Sequence, residues 1–280
     1  MTVLSPRTLA EACSAAAEHP SADLLAGGTD LMVEVNSGHR RPSDVIALGA
    51  IAELREWSIS DDRITIGSGV TFATIAKSEL ATLAPALAMA ARTVGSPQIR
   101  NAATIGGNLG TGSPAGDSLP VLAALNATVV LKSVDGEREI PLTEFCVGPK
   151  RTGRQPGELI TAVRIDRLTG PQEFCKLGTR QAMVISVVSV AVVTDLPTQS
   201  VRVGLGAVGP VPLRAPEAEA FAAAVIDWSS AQPIDTATCN RFGELVRDAA
   251  RPIDDHRSTA EYRRHAAGVL ASRALRRIFP

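Results

Sequence analysis

Two short stretches of this chain carry the residue types that hold phosphate. The first is Leu24-Leu25-Ala26-Gly27-Gly28-Thr29-Asp30-Leu31; the second, far downstream, is Thr104-Ile105-Gly106-Gly107-Asn108. Glycine takes φ values that other residues avoid and lets a ligand approach the backbone closely. Consecutive peptide N–H groups exposed in such a turn form a concave anion site. In the first stretch a short apolar strand runs into the glycine pair, and Leu31-Met32-Val33-Glu34-Val35 can open a helix. Thr29 or Asp30 is then an ordinary N-cap candidate. A strand-to-helix turn of this kind also aims N–H groups and the helix dipole at a negative charge. Two such turns can clamp the two phosphates of one dinucleotide. Taken singly, either stretch is explained by common turn chemistry.

The elements around them must bring them together. The second stretch lies within 92–120, a Gly- and Pro-rich segment that reads as a long loop between two Ala/Leu-rich helices, Leu83 to Val94 and Leu119 to Leu125. The first follows a helix over Ser5 to Ala17, with Leu9, Ala12, Cys13 and Ala16 on one face. Short strands are predicted at Leu24 to Ala26 and Val45 to Leu48, and Arg63 to Gly67 alternates with period two. Thr71 is a candidate N-cap for Phe72 to Leu80. Ala127 to Lys132 and Glu139 to Leu142 flank an Asp135-Gly136 hairpin turn. The basic loop Gly148 to Gly157 reads as a solvated surface loop, and Glu158 to Ile165 as a strand. Met183 to Thr194 and Val201 to Ala207 read as antiparallel strands, followed by helices over Ala218 to Ile226, Thr238 to Ala249 and Tyr262 to Ile278. The arginines of the last helix, Arg263 among them, read as a solvated face or a subunit contact. Mixed elements, then strands, then helices give an α+β chain with a boundary near Gly170.

Composition narrows the functions. A net charge of −1 argues against a nucleic-acid footprint. No apolar run approaches the roughly 18 residues of a membrane span, and no signal-peptide pattern is seen at the N-terminus. Cys13, Cys146, Cys175 and Cys239 are scattered singly, which suits a reducing cytoplasm and offers no zinc or iron–sulfur spacing. Redox chemistry in this chain would need an organic cofactor.

AGGTDL followed by PQIRNAATIGGNLGTGSPAGDSLPVLAAL resembles the FAD-binding medium subunit of the molybdenum hydroxylases, the family of xanthine dehydrogenase, aldehyde oxidase and aerobic carbon monoxide dehydrogenase. The segments 173–180, 208–215, 255–258 and 262–264 are also similar to that family. The resemblance implies an N-terminal PCMH-type FAD-binding domain of two α/β subdomains over 1–170. Over 171–280 it implies an antiparallel sheet with a helical bundle. It also implies two partner chains, a small iron–sulfur subunit and a large molybdopterin subunit. Electrons would reach FAD here from the iron–sulfur clusters and leave to an external acceptor. By the same resemblance Leu24 to Leu31 and Thr104 to Asn108 hold the FAD pyrophosphate, with side-chain hydrogen bonds from Thr29, Thr104 and Asn108. Asp117 contacts the flavin, Ile160 lines the cofactor and Lys176 sits near the flavin ring. For Asp117 the plain alternative is the N-cap of the Leu119 helix, and for Lys176 a strand lysine facing water. Neither catalytic nor metal-ligating residues are expected.

Other readings compete. One is a self-sufficient flavin oxidase with Tyr262, His256 and His265 as candidate side chains. Another is a nicotinamide dehydrogenase built on Gly204-Leu205-Gly206-Ala207-Val208-Gly209, which fits G-x-G-x-x-G. Pro210 and Pro212 follow it, where the fingerprint needs a helix to open with its N–H groups free. A non-enzymatic scaffold is a further alternative.

Overall fold

Thr8 starts the first helix. Its hydroxyl accepts the Glu11 amide while the Glu11 carboxylate accepts the amide of Thr8, a capping box that sets the start at Leu9 rather than Ser5. The computed structural model describes residues 2–229 and 233–280. The first unit runs β1 (Thr2–Leu4), α1 (Leu9–Glu18), β2 (Asp23–Leu25), α2 (Leu31–Asn36) and β3 (Asp44–Ala47). Its strands are parallel in the order β1-β3-β2, so the helical segments serve as crossovers. The apolar face of α1 buries Ala12, Cys13 and Ala16 against Ile46, Ile51, Leu54 and Leu159.

The second unit begins with β4 (Trp57–Ile59) and β5 (Arg63–Gly67) and continues into six helices. These are α3 (Phe72–Lys77), α4 (Leu80–Leu83), α5 (Pro85–Thr93), α6 (Pro97–Ala102), α7 (Ile105–Thr111) and α8 (Ser118–Ala124). Then come β6 (Thr128–Ser133), β7 (Gly136–Pro141), α9 (Leu142–Phe145), β8 (Cys146–Gly148), β9 (Arg151–Thr152) and β10 (Leu159–Asp166). The sheet order is β4-β5-β10-β6-β7, antiparallel throughout. The long loop expected over 92–120 is corrected here, because most of it is helical. α7 contains three glycines, each costing about 1 kcal/mol relative to Ala in a helix interior. Its ends and its inner face compensate. Thr104 caps the start, Gly112 at φ 56° closes the end, and Ile105 and Leu109, one turn apart, are fully buried.

The third unit is a four-stranded antiparallel sheet, β11 (Gln172–Leu177), β12 (Val188–Asp195), β13 (Ser200–Gly206) and β14 (Leu213–Arg214). Three helices follow, α10 (Pro216–Val225), α11 (Thr236–Ala249) and α12 (Ala260–Ile278). Every residue of β12 is buried. Ala191 and Val193 join the core of the second unit, whereas Val188, Val190 and Val192 join a core with α10, α11 and α12. A strand covered on both faces needs no polar alternation, which is why this run reads as continuously apolar. It starts at Val188 rather than Met183 because the preceding residues form an irregular loop, in which Arg180 donates to the Met183 carbonyl.

The G-x-G-x-x-G match has a packing explanation. Gly204 and Gly206 lie in β13, where a Cβ on Gly204 would sit 1.7 Å from the Pro120 carbonyl oxygen of α8. One on Gly206 would sit 2.4 Å from Ser189 Oγ and 3.0 Å from Pro120 Cγ. These glycines let a helix lie directly on the sheet. No helix opens after them and the sheet is antiparallel, so the nicotinamide fingerprint has no structural context.

Arg263 is also corrected: it is 3% exposed rather than solvated. Its Nη1 donates to the Val187 and Ala207 carbonyls at 2.9 Å, and Nη2 donates to Asp255 at 2.5 Å. Burial pushes the Asp255 carboxyl up, but the Arg257 amide and the Arg263 and Arg257 charges outweigh it and bring it to about 2. A value depressed from 3.8 stabilises the fold at neutral pH, and that contribution is lost as the pH falls toward 2. Asp255→Asn should therefore lower the midpoint of thermal unfolding at pH 7 by about 3 °C or more. The gap from the parent should close near pH 2. Melts followed by circular dichroism at the two pH values test this, and a pH-independent gap would refute it.

Candidate cofactor site

The two glycine segments, distant in sequence, wall one cavity of about 720 Å³. The first contributes Leu24, Ala26, Gly27, Asp30 and Leu31; the second contributes Thr104, Gly106 and Gly107. Ile160 of β10 joins them, with Leu48, Ile51 and Leu54 extending the apolar lining. Leu25, Gly28, Thr29, Ile105 and Asn108 belong to the same segments without lining the cavity. The Asn108 side chain turns to α8, where its Oδ1 accepts from Ser118 Oγ at 2.6 Å.

The segments differ in what their backbones offer. Gly28 sits at φ 70°, and the amides of Gly27, Gly28, Thr29 and Asp30 have no protein acceptor among the described residues. Four consecutive free N–H groups beside a left-handed residue make an anion-binding concavity. In α7 the first-turn amides are taken. Those of Ile105 and Gly106 donate to the Val70 and Ser68 carbonyls at 3.0 and 2.9 Å. That of Gly107 donates to Thr104 Oγ1 at 3.0 Å and that of Asn108 to the Thr104 carbonyl at 3.0 Å. The expectation that both glycine pairs expose their amides is thus corrected. The first offers donors and the second offers close approach.

The glycines are small for different reasons. A Cβ on Gly27 would lie 1.8 Å from the Ala102 carbonyl oxygen, and one on Gly106 would lie 2.4 Å from Ser68 Cβ. Both are required by the protein's own packing. Gly107 and Gly110 face space: a Cβ on Gly107 meets only Thr104 Oγ1 at 3.1 Å and Ala26 Cβ at 3.7 Å, and one on Gly110 meets Ile160 Cδ1 at 3.6 Å. Asp30 occupies the N-cap position of α2 but makes no cap bond, and its carboxylate accepts from Thr111 Oγ1 at 3.2 Å.

Charged residues line the rest of the cavity. Arg40 binds Asp23 and lies 3.5 Å from Glu34, and Lys150 donates to Glu34 at 2.7 Å. The Lys150 ammonium holds the Glu34 carboxyl below its usual range, and Glu34 in turn raises Lys150. Arg154 lines the same cavity. The loop over 148–157 is largely solvent-accessible, as expected, but two of its cations, Lys150 and Arg154, also line the cavity. The signal was present as a basic run in a Gly/Pro-rich loop, but its direction was not legible.

Asp117 and Lys176 form a second cluster outside this lining. Asp117 stands at the N-cap position of α8 without a side-chain cap bond. Its carboxylate instead accepts from Lys176 Nζ at 2.5 Å, Ser186 Oγ at 2.6 Å and Thr93 Oγ1 at 3.0 Å. Lys176 Nζ also donates to the Thr93 carbonyl at 3.3 Å. Asp117 is 6% exposed and the Lys176 side chain 10%, so the water-facing reading of Lys176 is corrected. This buried pair ties the second unit to the third.

Residues 1–167 match the family model described as the FAD binding domain in molybdopterin dehydrogenase, and residues 173–278 match the CO dehydrogenase flavoprotein C-terminal domain. The chain belongs to the FAD-binding subunits of the molybdenum hydroxylases. It is 32% identical to the nicotine 6-hydroxylase medium subunit of Paenarthrobacter nicotinovorans, over 97% of this chain and 94% of that one. It is 39% identical to the nicotinate dehydrogenase FAD-subunit of Eubacterium barkeri, over 66% of this chain and 65% of that one. Among solved structures it is similar to quinoline 2-oxidoreductase from Pseudomonas putida 86, with a TM-score of 0.89 at 25% identity, covering 98% of this chain and 95% of that one. Carbon monoxide dehydrogenase from Hydrogenophaga pseudoflava gives a TM-score of 0.86 at 26% identity, covering 98% and 96%.

The cavity of this FAD-binding subunit suits its cofactor. The lining combines free backbone N–H donors, suited to an anion, with apolar side chains, suited to rings, and the volume lies within the roughly 300–1,000 Å³ of small-molecule sites. No group of His, Cys, Asp and Glu among the described residues has metal-binding geometry. No described helix is long and apolar enough to cross a membrane.

Proposed function

We propose that this chain holds one non-covalent FAD between the Leu24–Leu31 and Thr104–Asn108 segments and serves as the electron-transfer subunit of a molybdenum-containing dehydrogenase. The observation that carries the reading is the row of free amides at Gly27 to Asp30, whose two end residues line a cavity that the glycine face of α7 also lines. Those amides hold the diphosphate, Gly107 and Gly110 admit the cofactor close to the backbone, and Ile160 packs on it. The family resemblance would put Asp117 and Lys176 beside the flavin, although both stand outside the lining of this cavity as a buried ion pair. Residues 1–170 would be the cofactor domain and 171–280 the C-terminal domain. FAD, when bound, supplies the electron exchange that the polypeptide's own side chains cannot. The partners would be an iron–sulfur small subunit and a molybdopterin large subunit, with an external acceptor beyond them. The relatives named as a medium subunit and a FAD-subunit support an assembly of several chains. A cytoplasmic setting agrees with four free, buried cysteines.

The purified chain should carry FAD that heat or acid releases into solution. Mixed with the complex's organic substrate alone, its flavin should stay oxidised. Adding the iron–sulfur and molybdenum subunits should bleach the visible flavin band at the rate of turnover. Reduction of the isolated chain at that rate by an organic substrate would instead establish a self-sufficient oxidase.

A further inference from the structure

Four cations line the cofactor cavity, namely Arg40, Arg55, Lys150 and Arg154. Arg40 and Lys150 are held by the carboxylates of Asp23 and Glu34, and Arg55 is exposed. Arg154 differs from all three. It is half-buried, and no carboxylate among the described residues lies within ion-pair distance of it. Its Nη1 donates to the backbone carbonyl of Glu158 at 2.9 Å and to that of Gln155 at 3.4 Å, while Nε and Nη2 have no acceptor among the described residues. The two carboxylates whose charge reaches it, Glu158 and Asp23, are engaged elsewhere. Glu158 takes both nitrogens of the Arg138 fork, at 2.6 and 2.9 Å, and the Gln155 amide at 2.7 Å. Asp23 takes Nε and Nη2 of Arg40. Burial pushes the Arg154 guanidinium below its usual value. A partly desolvated cation without a counter-ion is costly unless something else supplies the charge.

We propose that Arg154 is a cofactor-binding side chain whose guanidinium supplies the countercharge for the diphosphate of the bound dinucleotide. The inference rests on reading this cavity as the FAD site. The diphosphate is the only anionic part of FAD at neutral pH. The amides of Gly27 to Asp30 are neutral donors, and Asp23, Asp30 and Glu34 in the lining leave one positive charge in excess over Arg40, Arg55, Lys150 and Arg154. Of the two cations without a carboxylate partner among the described residues, Arg55 is exposed, which leaves Arg154 as the partly desolvated positive charge available to the diphosphate. Two free N–H directions on a planar fork match a phosphate oxygen pair, which a lysine cannot reproduce.

The test is a flavin-fluorescence titration of the chain stripped of its cofactor, with FAD as the probe at low and high salt. Arg154→Leu keeps the apolar stem and removes the charge; Arg154→Gln keeps a donor for the Glu158 carbonyl. Both should weaken FAD binding at low salt by about tenfold or more, while Arg154→Lys should recover part of the loss. Both neutral variants should also flatten the dependence of log Kd on log salt relative to the parent, because one counter-charge is gone. A merely structural role would shift Kd equally at every salt concentration. Unchanged affinity, or an unchanged salt slope in both neutral variants, would overturn the assignment of Arg154 alone. Failure of the parent chain to bind FAD would overturn the site reading and this inference together.

Discussion

A chain carrying Gly107→Val should purify folded and without FAD. Gly107 lines the cavity beside Ala26, and its added Cβ would meet only Thr104 Oγ1 at 3.1 Å and Ala26 Cβ at 3.7 Å. The backbone there is not left-handed, and valine is no worse than glycine in a helix. The fold therefore tolerates the side chain, while its two methyl groups occupy the space next to the free amides of the first segment. The expected loss of affinity is at least about 100-fold, or roughly 3 kcal/mol. Gly27→Val and Gly106→Val would be poor tests, because both positions pack against the chain itself and would report misfolding. Gly206→Val is the useful control. It drives into Ser189 and Pro120 and should lower stability, yet the folded fraction should keep its flavin. The flavin-to-protein absorbance ratio, with circular dichroism as the folding check, decides between them. Stoichiometric flavin in Gly107→Val, with flavin lost from folded Gly206→Val, would place the site elsewhere.

Lys176→Met should destabilise the chain by about 3–5 kcal/mol, because it strands the Asp117 carboxylate in a buried site. Asp117 would keep the hydroxyls of Thr93 and Ser186 but lose its ion-pair partner, Lys176. The double variant Lys176→Met/Asp117→Asn should recover a large part of that loss, since no uncompensated charge then remains. Urea unfolding of the parent, both single variants and the double variant gives the coupling energy directly. Additive effects of the two substitutions would mean that the pair does not act as a unit. The cluster spans α5 and α8 on one side and β11 and the 178–187 loop on the other. Its loss should therefore loosen the C-terminal sheet from the cofactor domain, not merely soften one strand.

Much of the local structure was legible. The period-two run of Arg63 to Gly67, the Asp135-Gly136 hairpin, the Thr71 cap and the apolar face of α1 follow from spacing and caps alone. What went wrong is equally local in origin. The segment 92–120 read as loop because glycine and proline dominate it, yet Pro97 sits in the first turn of α6 and the α7 glycines are held by caps and by Ile105 and Leu109. The start of β12 was misplaced because Met183 to Val187 is as apolar as the strand it precedes.

The sequence by itself determined the two phosphate-type segments, the family and the α+β order of units, because glycine pairs, caps and hydrophobic periodicity act over a few neighbouring residues. Tertiary structure alone decided which amides are free. Those of α7 are spent on Ser68, Val70 and Thr104, whereas those of Gly27 to Asp30 find no acceptor among the described residues. It also decided that Gly204 and Gly206 serve a helix–sheet contact and not a dinucleotide, that Lys176 is buried on Asp117, and that Arg154 stands in the cavity without a counter-ion. In each case the deciding partner comes from a distant part of the chain. A group's hydrogen-bond partner, counter-ion or steric neighbour is a property of the packed fold, and no spacing rule along the chain encodes it.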